Sequence, residues 1–190
     1  MNRKLLVTLG VVILGSTAMT HAPVMARTQR TLQTDFDLES PLTRIVPVPL
    51  AVLHQLATHP DVREFLDGGS ASAAEVLGAF EAAPAHINTD GVEDLVVRNS
   101  RLNGANIGPF WLFTRTAHGY KLVFFTRSLG ISILRPAAGG YHDLKASSAT
   151  AVTLYETRYQ FDGRAYQLKK CTRTDSSTGK AMPIPCGKAR

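Results

Sequence analysis

The spacing of apolar residues changes at Pro84, and this change constrains the fold more than any other feature of the chain. Before Pro84 the apolar residues recur at the three- and four-residue spacing of helices, and after it they alternate as in strands. Helices and strands that are segregated along a chain in this way are typical of α+β proteins. The sequence therefore predicts short N-terminal helices packed on an antiparallel β-meander.

Three short helices are predicted within residues 47–84. Pro49 and Pro60 suit the first turn of the first two helices, because that turn leaves the amide that proline lacks unpaired. Ser72 and Glu75 have the spacing of a capping box, which predicts the start of the third helix. The faces expected to be buried consist of Leu50, Leu53 and Leu56, then Val62, Phe65 and Leu66, then Val76, Leu77 and Phe80.

Six to seven strands are predicted after Pro84. Short links separate them, and Ala117-His118-Gly119 and Asp162-Gly163 have the composition of hairpin turns. The candidate strands are residues 94–98, 109–116, 120–127, 131–135, 141–146, 151–161 and 164–171.

The first 26 residues have the pattern of a secretory signal peptide. Asn2-Arg3-Lys4 is a cationic start, an apolar run of about 15 residues follows, and Val24-Met25-Ala26 supplies a cleavage point. The run is shorter than the roughly 20 residues that a membrane-spanning helix needs. We expect cleavage after Ala26 and a periplasmic or extracellular bacterial protein with no transmembrane segment.

The chain after Ala26 has the length of one domain. Residues 27–46 are polar and show no period, so we expect an extended lead-in there. Residues 47–190 are expected to form a single α+β domain, with a helical part at 47–84, the β-meander at 85–171 and a basic tail at 172–190.

The two cysteines of the chain are Cys171 and Cys186. In an oxidising compartment an isolated pair favours a disulfide. The bond would tie the tail to the last predicted strand.

The positive charge of the chain is concentrated at its C-terminal end. Residues 158–190 contain eight basic and two acidic residues, in a chain whose formal net charge is +6. Lys169, Lys170 and Arg173 are therefore a candidate binding surface for an acidic protein or an anionic envelope component. The alternative is a solvated basic end that maintains solubility. We expect no nucleic-acid partner for an exported protein.

The segment that leads into the first predicted strand is rich in oxygen-bearing side chains. Asn88, Asp90 and Asp94 recur along it, and Gly91 permits a bend with positive φ. Calcium takes six to eight oxygen ligands, several of them carboxylates, so these three residues are candidate calcium ligands. The alternative is a turn in which the side chains accept hydrogen bonds from their own backbone. No other cofactor is expected.

This segment resembles the D-x-[ND]-x-D-G-x-x-D-L loops of FG-GAP and related integrin-like β-propeller repeats. Asn88, Asp90 and Asp94 match the ligand positions of those loops, whereas His86 stands where the family has its first acidic ligand. The resemblance implies a calcium loop before a strand. One copy of the loop occurs in the chain, and a propeller needs several blades.

A broader resemblance covers residues 86–171. Asp94-Leu95-Val96-Val97, Pro109-Phe110-Trp111-Leu112-Phe113 and Tyr159-Gln160-Phe161-Asp162-Gly163 occur in an order that is similar to a group of small exported bacterial proteins of unassigned function. Many of those proteins carry two cysteines before the tryptophan strand, and this chain has none there. The resemblance implies the fold and the compartment, and it brings no activity.

Common catalytic signatures are absent from the sequence. It contains no G-x-S-x-G elbow, no G-x-x-x-x-G-K phosphate loop and no histidine cluster with zinc spacing. Glu93 and Asp94 are adjacent, so on a strand they would point to opposite faces and could not readily share a substrate. We expect a protein that is not an enzyme, and a hydrolase of envelope polymers is the catalytic alternative.

Trp111 and Phe113 lie on an aromatic-rich predicted strand. Exposed together, they would be a candidate surface for sugar rings or a protein partner, and the alternative is that both belong to the core.

The favoured function is an exported, non-enzymatic binding or interaction domain. The alternative is a calcium-dependent adhesion or scaffold module that uses Asn88, Asp90 and Asp94.

Overall fold

A computed structural model describes residues 32–69, 71–136 and 139–187, without the side chains of residues 135 and 136. The predicted signal peptide and the first residues of the lead-in lie outside these ranges. In chain order the elements are β1 Asp35–Asp37, α1 Leu50–Ala57, α2 Pro60–Asp67, α3 Ala73–Gly78, β2 Phe80–Ala85, β3 Asp94–Asn99, β4 Gly108–Thr116, β5 Gly119–Ser128, β6 Gly130–Pro136, β7 His142–Ala149, β8 Thr153–Phe161, β9 Tyr166–Asp175 and β10 Ala181–Ile184. A 3₁₀ turn, Ser100–Leu102, follows β3. The predicted α+β class is confirmed.

The three helices begin where the sequence predicts. Pro49 lies just before α1, Pro60 is the first residue of α2, and Ser72 and Glu75 form the expected capping box at α3. Val52 and Leu56 are the buried residues of α1, whereas Leu50, expected on its buried face, is 68% exposed. In so short a helix, packing decides which side faces the core. No helix within the described ranges is long and apolar enough to span a membrane.

The strands form two antiparallel sheets. The four-stranded sheet has the order β2-β3-β4-β5, and the six-stranded sheet has the order β1-β6-β7-β8-β9-β10. Consecutive hairpins run from β2 to β5 and from β6 to β10, so the predicted meander over residues 85–171 is divided between the two sheets. The chain passes from one sheet to the other at Leu129, whose amide donates to the carbonyl of Ser147. At Gly130 a Cβ would lie 2.9 Å from the carbonyl oxygen of Phe36, so this passage requires glycine.

Three strands were not predicted. β2 contains the sequence FEAAPA, and Pro84 is tolerated there because β2 is the edge strand of its sheet. β1 and β10 contain three and four residues and exist by pairing with β6 and β9. Phe80, expected on the third helix, is instead the first residue of β2.

The described part of the lead-in, residues 32–46, packs on the domain. Phe36 and Leu42 are buried in the core between the two sheets. The Arg98 guanidinium donates to the backbone oxygens of Asp37 and Ser40 at 2.6 and 2.9 Å, and its other side pairs with Glu81 at 2.9 Å. This segment is therefore a part of the folded domain.

Two apolar cores cover the two faces of the four-stranded sheet. The core between the sheets includes Val96, Phe110 and Leu112 from this sheet and Ile131, Ile133 and Leu144 from the other. The core beneath the helices includes Val97, Trp111 and Phe113 from the sheet and Val52, Leu56, Val62 and Val76 from the helices. Alternate residues of β3 and β4 thus enter opposite cores, which explains the continuous apolar run of β4.

Candidate binding face

The turn between β2 and β3 is built by side-chain oxygens that accept hydrogen bonds from the backbone. The Asn88 Oδ1 accepts from the amide of Asp90 at 3.0 Å, and the Asp90 Oδ1 accepts from the amide of Val92 at 2.7 Å. Gly91 has a φ of 78°, the left-handed region that glycine enters without strain. This is the backbone-bonded turn that was one of the two alternatives for the segment.

Asp94 is fully buried at the start of β3. Its Oδ2 accepts from the amide of Ile87 at 2.9 Å and its Oδ1 from the amide of Arg115 at 2.8 Å. Burial raises the pKa of the Asp94 carboxyl, and the two amide donors oppose this rise in part. The carboxylate therefore holds the turn against the end of β4.

The turn also joins the two sheets. The amide of Thr89 donates to the carbonyl of Gly140 at 2.8 Å, and the amide of His142 donates to the carbonyl of Ile87 at 3.0 Å. Asn88 and Tyr141 form an isolated β-bridge between these segments. Residues 87–89 thus pair with the start of β7 and connect the four-stranded sheet to the six-stranded one.

The candidate calcium ligands are engaged in this backbone bonding. Asn88, Asp90 and Asp94 each accept at least one amide hydrogen bond, and the nearby Glu93 pairs with Arg44 at 3.0 Å. In the ranges that the structure describes, no group of three or more acidic, histidine or cysteine residues is placed to hold a metal ion. Calcium binding, and with it the resemblance to FG-GAP loops, stays a prediction.

Trp111 and Phe113 do not form a binding surface, and of the two alternatives for these residues the structure shows the core. Both side chains are fully buried beneath the helices. The indole of Trp111 packs against the rings of Phe80 and Phe125 and edge-on against His59, each with a centroid distance of 5.5 Å. Burial lowers the pKa of His59. The helices cover the face on which these aromatic residues stand, so both residues belong to the core.

The three C-terminal strands bury few of their residues. Of the nine, ten and four residues of β8, β9 and β10, only Thr153 and Cys171 are buried. Tyr159 and Tyr166 pack against the inter-sheet core from the near end of these strands. Beyond them β8 is half-buried, whereas β9 and β10 are largely exposed.

The predicted disulfide is confirmed. Cys171 of β9 is bonded to Cys186, which follows β10, with a Cα–Cα distance of 5.3 Å. The bond closes the β9–β10 hairpin and holds the chain after β10 against the sheet. The tail is thus partly ordered, since β9 extends to Asp175 and β10 lies within it.

Three cationic residues stand directly opposite one another on the face of β7, β8 and β9 that points away from the core. Lys145 is the register partner of Arg158, and Arg158 is the register partner of Lys170. The register shifts next to Arg158, which leaves Lys169 without a partner of its own. In such a bulge two consecutive residues oppose one, so both lysines lie across from Arg158. We call Lys145, Arg158, Lys169 and Lys170 the basic row.

Two of the four cations of the basic row, Lys145 and Arg158, are paired with carboxylates. Lys145 pairs with Glu156 at 2.8 Å, and Arg158 pairs with the buried Asp143 at 2.7 Å. Lys169 and Lys170 are exposed and form no ion pair with any residue of the described ranges. The excess positive charge of the row therefore lies at β9.

Arg173 is separated from this row. It is three positions after Lys170, so its side chain stands on the opposite face of β9, between its register partners Tyr155 and Met182. The candidate surface of Lys169, Lys170 and Arg173 is thus divided: the sheet brings the two lysines together and places the arginine elsewhere.

The acidic residues in the turns at this end are already occupied. Hydrogen bonds from the amides of Ala165 and Arg164 lower the pKa of Asp162, and those from the hydroxyl and amide of Ser177 lower the pKa of Asp175. Both carboxylates accept these bonds within tight turns. Neither of them pairs with the cations of the basic row.

Lys145 and Arg158 were not identified from the sequence as site residues. They come from different strands, and their position opposite Lys170 depends on the register of two hairpins and on the bulge. Counting outward from the Asp162-Gly163 turn would have paired the strands, but the bulge shifts that count by one residue. An aromatic group at the same end, with Tyr141 stacked on Phe161 at 3.9 Å and next to Tyr166, also comes together only through this pairing.

Comparison of the chain with protein-family models, with curated proteins and with solved structures gave no match.

Proposed function

We propose that this chain is an exported, non-enzymatic binding protein and that strands β8, β9 and β10 carry its binding surface. The observation that supports this is the exposure of most of β9 and β10, together with the fact that only Thr153 and Cys171 are buried in the three strands. Burial of apolar surface is the main force that stabilises a domain, and these strands contribute little of it. A disulfide instead holds their outer end in place. An open face of this kind, tied by a covalent bond, is suited to contact with a partner.

The proposed export rests on two features. Residues 1–26 have the order of charge, apolar run and cleavage point found in secretory leaders. The disulfide between Cys171 and Cys186 is of the kind that persists in oxidising compartments. We therefore propose a periplasmic or extracellular location.

The partner is proposed to be an envelope component. The described part of the β8–β10 end carries more cations than anions, and its two turn carboxylates, Asp162 and Asp175, are held by backbone amides. Charge complementarity thus favours a negatively charged partner, either a protein or another anionic molecule of the envelope.

Site-specific photo-crosslinking in the exporting cell tests this function. A photo-crosslinking residue in place of Leu168 or Thr174 samples the two faces of β9, and the same residue in place of Leu50 on α1 is the matched control, since Leu50 is 68% exposed. We expect adducts from β9 that excess unlabelled protein abolishes, and none from α1. Equal adducts at all three positions, or none from β9, would overturn the proposal.

A further inference from the structure

We infer that the basic row binds the phosphate groups of an anionic membrane surface. This inference rests on the proposed function, because it assigns a partner to one face of the same strands. The first observation is that the sheet places like charges next to one another, which does not stabilise the fold. Lys145, Arg158 and Lys170 stand opposite one another on three adjacent strands, and like charges that are directly opposite destabilise a sheet.

A ligand that brings negative charge relieves this repulsion. Neighbouring strands are about 4.8 Å apart, so the three residues are rooted within about 10 Å of one another. Glu156 and Asp143 balance the two cations nearer to the middle of the sheet. Lys169 and Lys170 remain exposed, and they are the residues that an incoming anion would meet first.

The shape of the site favours a surface over a single small anion. The row lies on an open sheet face, its Arg158 side chain is 51% exposed, and both lysines are exposed. A small ligand is held in a concave site by converging polar groups. A surface with many phosphates needs only accessible cations, and each basic residue near such a surface strengthens binding about fivefold.

The residue types favour lipid over protein. Protein–protein interfaces are depleted in lysine and enriched in aromatic residues and arginine. Three of the four residues in the row are lysines and two of these are unpaired, whereas Tyr159 and Tyr166 of the same strands pack on the core, on the opposite face of the sheet. The composition of the row therefore suits ammonium groups that face phosphates.

Vesicle co-sedimentation tests the inference. The protein is purified in the form in which the exporting cell accumulates it. The vesicles are phosphatidylcholine alone or phosphatidylcholine with a third of phosphatidylglycerol. The double variant Lys169→Gln/Lys170→Gln removes two charges from the row, and the control Arg115→Gln/Lys121→Gln removes two exposed charges from the other sheet. We expect binding to the anionic vesicles only, a loss of about thirtyfold in the row variant, and a loss of less than about threefold in the control.

Further arms keep the result interpretable. Lys169→Arg/Lys170→Arg should retain binding, and raising the salt from about 0.1 M to about 1 M should abolish it, because the Debye length falls from about 10 Å to about 3 Å. Circular dichroism and thermal unfolding establish that each variant is folded. Equal losses in the row variant and the control, or equal binding to both kinds of vesicle, would overturn the inference. So would binding to soluble polyphosphate without binding to vesicles.

The proposed function can stand if this inference fails. A competable adduct from Leu168 or Thr174 together with no binding to anionic vesicles would leave a binding face whose partner is a protein. Loss of the adducts as well would remove both proposals.

Discussion

β4 and β9 are strands of similar length in antiparallel sheets, yet they differ in almost every other respect. Seven of the nine residues of β4 are buried, whereas Cys171 is the single buried residue among the ten of β9. Both strands have hydrogen-bonded neighbours on each side. The difference is that β4 lies between the helices and the second sheet, while most of β9 extends past them. Pairing organises the backbone, and a covering layer is what removes side chains from water.

The two regions therefore depend on different interactions. The four-stranded sheet is stabilised by apolar burial on both faces. The end of the six-stranded sheet is stabilised by strand pairing, by turns that use Asp162 and Asp175, and by the disulfide. The first region can tolerate few substitutions, and the second leaves its side chains available for binding.

The largest expected difference in stability is between the substitutions Phe113→Ala and Leu168→Ala. Phe113 is fully buried, so its removal should lower the free energy of unfolding by about 3–5 kcal/mol. Leu168 is 38% exposed on β9, and its removal should cost less than about 1 kcal/mol. Guanidinium unfolding measures both values. Similar losses in the two variants would show that β9 is covered as β4 is.

Removal of the disulfide should have the next largest effect. The bond spans 15 residues, and Cys171→Ala/Cys186→Ala should cost about 3 kcal/mol if loop closure in the unfolded chain dominates. Hydrogen exchange locates the change. We expect faster exchange in β10 and the outer part of β9, with β3 and β4 still protected. Uniform loss of protection across both sheets would contradict a peripheral role for the bond.

Asp94 tests the connection between the turn and the covered sheet. Asp94→Ala leaves the buried amide of Ile87 and the part-buried amide of Arg115 without their acceptor, which should cost about 2 kcal/mol. Asp90→Ala is the control, because the Asp90 side chain is exposed and holds one amide. Thermal or chemical unfolding should separate the two variants. Equal effects would mean that Asp94 is no more than a turn residue.

The pH dependence of stability provides a second test of Asp94. Because burial raises its pKa in the folded state, the folded protein binds this proton more tightly than the unfolded chain does. The stability from this group is fully present below the ordinary pKa of aspartate and is lost as the pH rises through the raised folded pKa. The difference between the free energies of unfolding of the wild type and of Asp94→Asn should therefore decrease as the pH rises through this range. A difference that rises with pH would contradict burial as the dominant cause.

The smallest expected effect is a gain in stability at the basic row. Lys170→Glu places a carboxylate opposite Arg158 and should raise the free energy of unfolding by about 0.2–1 kcal/mol. Lys180→Glu, in the β9–β10 turn, is a control with the same change in charge. Chemical unfolding at low salt measures the gain. A loss of stability at Lys170 would show that the lysines of the row are not repelled by Arg158.

Local signals in the sequence predicted much of the fold. The capping box at Ser72, the proline at the start of α2 and the Asp162-Gly163 turn each act within a few residues, and all three occur where expected. β1, β2 and β10 were missed because they are short or rich in alanine and proline, and they form only against a partner strand. The strand propensity of a short segment depends on its own residues and does not indicate which strand it will pair with.

The candidate site was predicted less well than the fold. The basic residues at the C-terminal end were recognised, but the bulge beside Lys169 and the alternation of the strand divide Lys170 from Arg173. Trp111 and Phe113 were considered either as a surface or as core, and helices from a distant part of the chain cover them. The turn at Asn88 was recognised as a turn, while its hydrogen bonds to Gly140 and His142 were not.

The sequence by itself determined the class of the fold, the order of helices before strands, the disulfide and the concentration of positive charge near the C-terminus. These follow from periodicity, turn chemistry and composition, which are local properties. The tertiary structure decided which faces are covered, because burial depends on what packs against a strand. It also decided that Lys145, Arg158 and Lys170 stand in one row, because register between strands depends on hydrogen bonds between residues that are distant in the chain.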